Sequence, residues 1–382
     1  MAVGIIAEFN PFHNGHKYLI AEAKRRSGCD TAVAVMSGEW VQRGGIAITD
    51  KWIRAKQALL NGIDLVLELP VIYSMNTAQK FAYGAIGTLT ATGVIDTLAF
   101  GSESGDANTL LNAADLLINE PAEISDRIKT LCGTGMTYAA ARAAAYAGII
   151  DNELLSAPND ILATEYIRAM DELDSDFDIC AIKRKGAAHD SDEYSHDIAS
   201  ASEIRRIISD NGDVSDFLPC PDFPVYNASV LDAALIAKLR SCGAEYLRDI
   251  NDVSEGLENR FIKAAAECDT ADELCMTVKS KRYALSRIRR IAWSSLLGIA
   301  KSKALAAPSY IRVLGMTERG ITLLKQMKTT ASLPVIIKPA DYPGDDTYYL
   351  NSRAEDIFAL CAPDKSLRRG GRDMTTSPVI IR

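Results

Sequence analysis

Short, continuously apolar segments that alternate with helical segments constrain the fold more than any other feature of this 382-residue sequence. Buried-strand patterns occupy residues 3–9, 31–36, 65–69, 97–100 and 177–182, with helical periodicity between them. Strands that are apolar on both faces are typical of parallel sheets, which helices cover on both sides. The sequence therefore predicts an α/β fold with a parallel sheet that begins at the N-terminus.

A change of character near the middle of the chain predicts two domains. The Pro- and Gly-containing stretch 209–227 is a plausible boundary. Residues 1–215 carry the strand–helix alternation and are predicted to form the α/β domain. Residues 216–382 are predicted to be mainly helical, with a small α/β element built on strands at 310–314 and 335–338.

Charge and hydropathy restrict how this chain can bind nucleic acid and argue against a membrane-spanning or secreted protein. Lys plus Arg is 42 and Asp plus Glu is 50, for a net charge of -8. Nucleic acid can therefore bind only at a local basic patch. No apolar run reaches the roughly 18 residues of a membrane-spanning helix, and the first residues lack the basic segment of a signal peptide. We expect a cytoplasmic protein with neither a membrane nor DNA as a partner.

The cysteines give no sign of a structural metal site. None of the eight cysteines belongs to a CxxC pair, and the chain has only four histidines. Structural zinc sites use closely spaced ligand pairs. We therefore expect scattered, reduced thiols and no protein-held metal.

The sharpest local signal is the segment Asn10–His16, which reads NPFHNGH and joins the first strand to the first helix. Free backbone N–H groups and the helix dipole favour anions at such a junction. His13 and His16 are three residues apart and can face the same side of the first turn. Imidazole N–H groups there can stabilise charge on phosphate oxygens, and Gly15 can allow a close approach of the backbone.

A second phosphate-binding signal is the segment Ile198–Arg205, which reads IASASEIR. A serine at a helix start either caps free N–H groups or donates to phosphate, and Ser202 is the candidate. Arg205 can pair with pyrophosphate oxygens.

Together these segments resemble the HxGH and ISSTxxR-like signatures of the HIGH-type nucleotidyltransferase superfamily, whose members have Rossmann-like sheets. Further motifs resemble the tRNA(Met) cytidine acetate ligase family in order and over nearly the whole chain: Met36–Gly44, Phe100–Gly105, Pro158-Asn159 with Glu165-Tyr166, Lys183-Arg184 with Ala188-His189-Asp190, Lys281–Tyr283, Arg312–Gly315 and Leu333–Ile336. One departure is Gly45-Ile46-Ala47, where the family pattern has a Glu-Pro-Ala-like segment.

The resemblance implies an enzyme that activates acetate with ATP, releases pyrophosphate, and passes the acetyl group to N4 of the wobble cytidine of elongator tRNA(Met), releasing AMP. It implies catalytic roles for His13 and His16. The implied ATP-binding residues are Ala7, Glu8, Phe9, Asn10, Pro11, Phe12, His13, Asn14, Gly15, His16, Lys17, Tyr18, Leu19, Ile20, Gly101, Asn159, Arg184, Ser202 and Arg205.

Some of these residues have a second interpretation. Asn159 follows a proline before a helix, so it either caps that helix or contacts the ribose or base. Mg²⁺ is expected with ATP, bound mainly by phosphate oxygens and water. No protein nucleophile is required, because acetate can attack the α-phosphate in line.

A basic segment offers a surface for tRNA. Residues 279–293 contain six basic residues and no acidic residue. Cations of this kind contact phosphates, and Tyr283 can stack on a base. The candidate tRNA-binding residues are Lys279, Lys281, Arg282, Arg287, Arg289 and Arg290. A second patch, at Lys365, Arg368, Arg369 and Arg372, is either a flexible tail or an RNA-binding arm.

Two other functions remain open at this point. A small-molecule adenylyltransferase of the pantetheine-phosphate or nicotinamide-mononucleotide type would share the HxGH loop but would not require the basic second half. A catalytically idle RNA-binding module would keep the basic segment but would have no need of His13, Gly15, His16 and Arg205.

Overall fold

A computed structural model describes the chain over residues 2–150, 154, 156–185, 197–303 and 307–382. The motif Ala188-His189-Asp190 lies outside the described residues. In the described ranges the strands predicted near the N-terminus are all present, with ends shifted by a few residues.

The strands are β1 (Ala2–Ala7), β2 (Thr31–Ser37), β3 (Trp40–Val41), β4 (Gly45–Ile46), β5 (Leu65–Leu69), β6 (Ile95–Ser102), β7 (Asp178–Lys183), β8 (Ile311–Thr317), β9 (Val335–Ile336) and β10 (Val379–Ile381). β3 and β4 form a separate antiparallel hairpin. In the departing segment, Gly45 and Ile46 form the second strand of this hairpin, and the Ala47 backbone N–H donates to the Glu39 carbonyl at 2.8 Å.

The α-helices are α1 (Asn14–Ser27), α2 (Lys51–Leu60), α3 (Val71–Ser74), α4 (Ala78–Thr92), α5 (Ala107–Ile118), α6 (Ala122–Gly133), α7 (Tyr138–Ala145), α8 (Pro158–Glu172), α9 (Ala201–Ser209), α10 (Asp232–Ser241), α11 (Ala244–Asp249), α12 (Leu257–Glu267), α13 (Ala271–Val278), α14 (Leu285–Leu297), α15 (Glu318–Thr330), α16 (Asp346–Ala359) and α17 (Arg372–Thr375). Short 3₁₀ helices occupy Ala228–Leu231, Pro339–Asp341 and Lys365–Leu367.

Local signals set the helix ends. The carboxylate of Asp50 accepts a hydrogen bond from the Ile53 backbone at 2.9 Å and starts α2. Gly28 and Gly93 end α1 and α4 with φ angles of 70° and 64°, in the left-handed region that glycine adopts without strain. A turn containing Gly135, which has a φ of 94°, separates α6 from α7.

The main sheet has the strand order β10-β8-β5-β2-β1-β6-β7, with β9 paired to β8. Five neighbouring strands of this sheet, β5, β2, β1, β6 and β7, are mutually parallel, as predicted. β8 pairs with β5 in the antiparallel direction, and β10 pairs with β8. The chain thus runs outward from β1 to β5 and then returns to the other side of β1 at β6.

The predicted second domain is therefore wrong in one respect. Its strands do not form a separate small element, because β8, β9 and β10 extend the main sheet beyond β5. The helices α10 to α14 form the mainly helical part, and they pack onto the rest of the chain. The rings of Trp40 and Trp293 lie 5.6 Å apart, and the indole N–H of Trp40 donates to the Ala354 carbonyl at 3.0 Å. One apolar core therefore includes residues from both halves.

The C-terminal patch is also part of this framework. The guanidinium group of Arg372 pairs with Asp50 at 3.1 Å, and Arg368 donates to the Ala362 carbonyl at 2.8 Å. The residues that follow form β10 within the sheet. The flexible-tail interpretation is therefore wrong.

Among the described residues, no helix combines the length and the hydropathy needed to cross a bilayer.

Candidate active site

A cavity of about 360 Å³ opens where the carboxyl ends of β1 and β6 meet. The chain reverses its order across the sheet at this point, and such switch points are where α/β sheets bind ligands. Ala7 ends β1, Gly101 lies near the end of β6, and Arg184 follows β7; all three line the cavity.

The loop between β1 and α1 is anchored by its aromatic rings. Phe9 and Phe12 are fully buried and their ring centroids lie 5.1 Å apart. Phe9 has a φ of 46°, a conformation that bulky residues rarely adopt outside functional sites. Asn10 precedes a cis proline, and its side-chain oxygen accepts a hydrogen bond from the Ile48 backbone at 2.8 Å. The packed rings and the Asn10 hydrogen bond thus anchor the loop beneath the histidines.

His13 and His16 face each other at the start of α1. Their rings are stacked with centroids 3.7 Å apart. The backbone N–H of His13 donates to Nδ1 of His16 at 3.2 Å. Nδ1 of a neutral His16 is therefore the acceptor, which leaves its proton on Nε2 as a hydrogen-bond donor.

Both imidazoles are neutral at physiological pH. Burial, followed by the positive charges of Arg184 and Arg205, lowers the pKa of His13 to about 3. Burial, then His13 and Arg184, holds the pKa of His16 well below its ordinary value. Neutral N–H donors can bind phosphate oxygens and stabilise developing charge without the cost of burying a cation.

Gly15 is required by the packing of His13. A Cβ atom at this position would lie 2.9 Å from Cε1 and 3.0 Å from Nδ1 of the His13 ring. The sequence analysis assigned Gly15 to a close approach of phosphate, and the geometry adds this steric reason.

Asn14 connects the loop to the second phosphate-binding segment. Its side-chain amide donates to the carbonyls of Asp197 and Asp216 at 2.9 and 2.8 Å. The start of α1 is thereby held beside the start of α9. The sequence placed Asn14 among the ATP contacts, whereas the structure gives it this linking position.

Ser202 and Arg205 project from the start of α9. The cap is Ser200, whose hydroxyl accepts from the Glu203 backbone at 3.2 Å. Ser202 is therefore not the cap, and it lines the cavity. Arg205 donates to the Asn10 carbonyl and to the Ser202 hydroxyl, so its guanidinium group lies beside the histidine loop.

Asn159 and Arg184 form the opposite wall. Arg184 donates to the side-chain oxygen of Asn159 at 3.2 Å, and the Asn159 amide group donates to Glu103. Helix α8 is preceded by Ala157 as its N-cap, so the capping interpretation of Asn159 is wrong. Asp160, which is buried, accepts from the Glu103 and Ser104 backbones at 3.0 and 3.1 Å.

Some predicted ATP contacts lie away from the cavity. Ala7, Glu8, Phe9, Asn10, His13, His16 and Leu19 line it, and Gly15, Tyr18 and Leu19 line a smaller adjoining chamber. Five of the predicted ATP-binding residues line neither the cavity nor the chamber: Pro11, Phe12, Asn14, Lys17 and Ile20. Phe12 and Ile20 are buried in the core and Lys17 is exposed.

The sequence analysis missed one set of cavity residues. Gln42 and Arg43 line the cavity from the β3–β4 hairpin, and an apolar group lines it from α4, β6 and α8: Phe81, Phe100, Leu162 and Tyr166. The Met36–Gly44 motif was the available signal for the hairpin. Phe100 and Tyr166 belong to motifs of the family resemblance, whereas Phe81 and Leu162 carry no local signal because they look like ordinary core residues.

The basic segment differs from its prediction. Arg287 and Arg290 pair with Asp252 at 3.2 and 3.0 Å, and Arg290 is only 6 % exposed. Arg282 pairs with Glu255 and Arg289 with Asp272. Arg290 is therefore a buried linking residue and not a surface contact for phosphate. Lys279 and Lys281 are exposed, and neither has an ion-pair partner among the described residues.

Among the described residues, no group of three His, Cys, Asp or Glu side chains could hold a metal ion.

A parallel sheet with paired neutral histidines at the carboxyl end of its first strand, faced by two arginines, defines a HIGH-type nucleotidyltransferase. The family described as HIGH Nucleotidyl Transferase matches residues 1–373. Relatives named tRNA(Met) cytidine acetate ligase include that of Thermoanaerobacter sp., 41 % identical over 96 % of both chains, and that of Clostridium botulinum, 37 % identical over 99 % of this chain and 98 % of the relative.

The solved structure of Thermotoga maritima TmcAL bound with alpha-thio ATP superposes with a TM-score of 0.90 at 31 % identity, covering 100 % of this chain and 99 % of that one. The chain belongs to the tRNA(Met) cytidine acetate ligase family, as the sequence motifs predicted.

The histidine pKa shifts give a prediction for the ligand-free protein. We expect neither His13 nor His16 to titrate between about pH 5 and 8, whereas an ordinary imidazole titrates near 6.5. As pH falls below about 6.5, the unfolded chain takes up these protons first, so the folded state loses stability, and for His13 this loss continues down to about pH 3. Imidazole NMR shifts measure this, with the urea-unfolded chain as control. A titration of either ring near pH 6.5 would contradict it.

Proposed function

We propose that this protein acetylates N4 of the wobble cytidine of elongator tRNA(Met), using ATP and free acetate. The observation that carries the proposal is the pair of neutral imidazoles that faces the cavity between Arg184 and Arg205. The names of the relatives support the acceptor and the acyl donor. The ATP analogue bound to the T. maritima protein supports the nucleotide.

The first step forms acetyl-adenylate. A carboxylate oxygen of acetate attacks the α-phosphorus of ATP in line, and the bond to the pyrophosphate oxygen breaks. His16 donates its Nε2 proton in a hydrogen bond to an α-phosphate oxygen, and Arg184 and Arg205 offset the negative charge that develops. Most of the rate gain comes from positioning the two reactants.

The second step transfers the acyl group. N4 of the cytosine attacks the carbonyl carbon of acetyl-adenylate, the bond to the phosphate oxygen breaks, and AMP leaves while the amine loses a proton.

Mg²⁺ bound by the phosphates of ATP would neutralise the pyrophosphate that leaves in the first step.

The proposed RNA surface adjoins the mouth of the cavity. A Cβ atom on Gly44 would lie 2.5 Å from the backbone nitrogen of Arg290, so the β3–β4 turn rests directly on α14. Arg290 also donates to the Gln42 carbonyl at 3.4 Å. Arg43 is exposed at the mouth, and Lys279 and Lys281 precede α14. We propose these three exposed cations as phosphate contacts.

The direct test uses purified protein, Mg-ATP, radiolabelled acetate and bulk bacterial tRNA. We expect label in RNA that requires ATP, and nuclease digestion should place it on cytidine. Pyrophosphate release with a small phosphorylated acceptor and no label in RNA would instead favour a small-molecule adenylyltransferase. ATP binding with no turnover would favour an idle RNA-binding module.

Removing two unpaired cations should weaken RNA binding. For the double variant Lys279→Ala/Lys281→Ala we expect lower tRNA affinity and a salt dependence whose log–log slope falls by about one for each lost phosphate contact. Fluorescence titration at several salt concentrations measures both quantities. The matched control is Lys325→Ala/Lys328→Ala, which removes two exposed lysines on α15. An equal effect of both pairs would remove this segment from the RNA surface.

A further inference from the structure

The cavity has two ends of different chemistry. One end carries the histidine loop, Arg184, Ser202 and Arg205. Helices α4 and α8 and strand β6 contribute the apolar side chains Phe81, Phe100, Leu162 and Tyr166, which we call the apolar end, and the Glu8 carboxyl acts electrostatically on Tyr166 there. Phe81, Phe100 and Tyr166 are at most 5 % exposed, and the rings of Phe100 and Tyr166 lie 6.0 Å apart. Aromatic walls of this kind form a small, stiff space that suits an apolar group.

The polar end and its adjoining chamber account for the nucleotide. The polar end holds the groups that recognise phosphate. The adjoining chamber opens beside His13 and His16 and combines apolar residues, such as Ile182 and Ile198, with polar ones, such as Lys183 and Ser200. A purine base needs apolar walls together with polar edge partners, whereas a methyl group needs only apolar walls. The apolar end is therefore the part of the cavity that the nucleotide leaves free.

We propose that this apolar end binds the hydrocarbon part of the carboxylate substrate, and that Phe81, Phe100 and Leu162 restrict it to two carbons. The inference rests on the proposed function, and it adds the residues that select the acyl group.

The hydroxyl group of Tyr166 can orient the carboxylate. The hydroxyl group of Tyr166 makes no hydrogen bond within the described part of the chain. Burial, followed by the charge of Glu8, raises the pKa of this hydroxyl, so it stays protonated and can donate. The methyl group of acetate would then point towards Leu162, which is half-buried on α8.

The test compares carboxylates of increasing length. Pyrophosphate release from ATP is measured with acetate, propionate and butyrate, with and without tRNA. The unaltered enzyme should prefer acetate over propionate by at least about tenfold in kcat/KM, as for a pocket that discriminates by one methylene. Leu162→Ala should reduce this preference about tenfold or reverse it. Leu162→Phe should raise the KM for acetate and abolish use of propionate.

The control is Ile198→Ala, an aliphatic truncation in the adjoining chamber. It should change the KM for ATP and leave the acetate-to-propionate ratio unchanged. The inference is overturned if Leu162→Ala leaves this ratio unchanged, or if Ile198→Ala changes it instead. A rise in the KM for tRNA alone would assign the apolar end to the cytosine base. The absence of carboxylate-dependent pyrophosphate release from the unaltered enzyme would instead reject the proposed function itself.

Discussion

Replacing His16 with alanine is expected to lower turnover by about 10²- to 10³-fold, as for the loss of one donor that stabilises transition-state charge. The physical reason is the tautomer of this ring. Its Nδ1 accepts the His13 backbone N–H at 3.2 Å, so Nε2–H is the donor that remains for the α-phosphate. Alanine removes this donor and also the ring that stacks on His13.

The matched variant is His16→Gln, whose amide N–H can replace the Nε2–H donor in part. We expect its turnover to lie between those of the alanine variant and the unaltered enzyme. Pyrophosphate release under saturating ATP and acetate measures the rate, and urea denaturation shows that the fold persists. Near-normal turnover of His16→Ala would reject the role assigned to this loop.

Replacing Lys51 with methionine is expected to destabilise the protein by about 3–5 kcal/mol, as for the removal of one partner from a buried ion pair. The ammonium group of Lys51 is fully buried and donates to Glu68 at 2.8 Å and to Asp373 at 2.7 Å. These two carboxylates raise the pKa of Lys51 against the opposing effect of burial. Methionine has a similar length but leaves both carboxylates without this cation.

The effect can be separated from a simple loss of charge. Lys129→Met removes a lysine from an exposed pair with Asp126, and we expect no measurable change in the free energy of unfolding. Lys51→Met combined with Asp373→Asn should be less unstable than the sum of the two single variants, because the pair acts as a unit. Urea denaturation measures the free energy of unfolding. Additive decreases for the two substitutions, or a decrease below about 1 kcal/mol for Lys51→Met, would contradict this account.

The buried cluster around Lys51 also supports the site. Arg54, which is fully buried beside it, donates to the carbonyls of Glu8 and Ser37 at 2.8 and 3.0 Å. The Glu8 carbonyl belongs to the loop that follows β1, and Ser37 is the last residue of β2. Burial raises the pKa of the neighbouring Glu39 carboxyl, against the lowering effect of Lys51 and of Arg54, which lies 3.6 Å from it. The Arg54 guanidinium group thus ties the loop that follows β1 to the end of β2.

Local pattern was sufficient for the nucleotide half of the protein. Continuous apolar strands followed by helices predicted that β1, β2, β5, β6 and β7 run parallel, because such strands are buried on both faces. The pattern did not predict their order across the sheet. The motif around His13 predicted where the cavity lies, since the junction of a strand and a helix depends on residues close together in the chain. The set of motifs also predicted the family, which the comparisons confirm.

Contacts between distant residues were decided only by the tertiary structure. Lys51 reads as a solvated lysine at the start of a helix, but its partner Asp373 is 322 residues away. The sequence predicts Arg290 to be a surface cation. In the folded chain it is buried, pairs with Asp252 and donates to the Gln42 carbonyl. The sequence predicts a separate small element for the strands of the second half. In the structure β8 pairs with the edge of β5, and β9 and β10 pair with β8. A sequence pattern reports which side chains seek burial, whereas their partners depend on which surfaces the folded chain brings together.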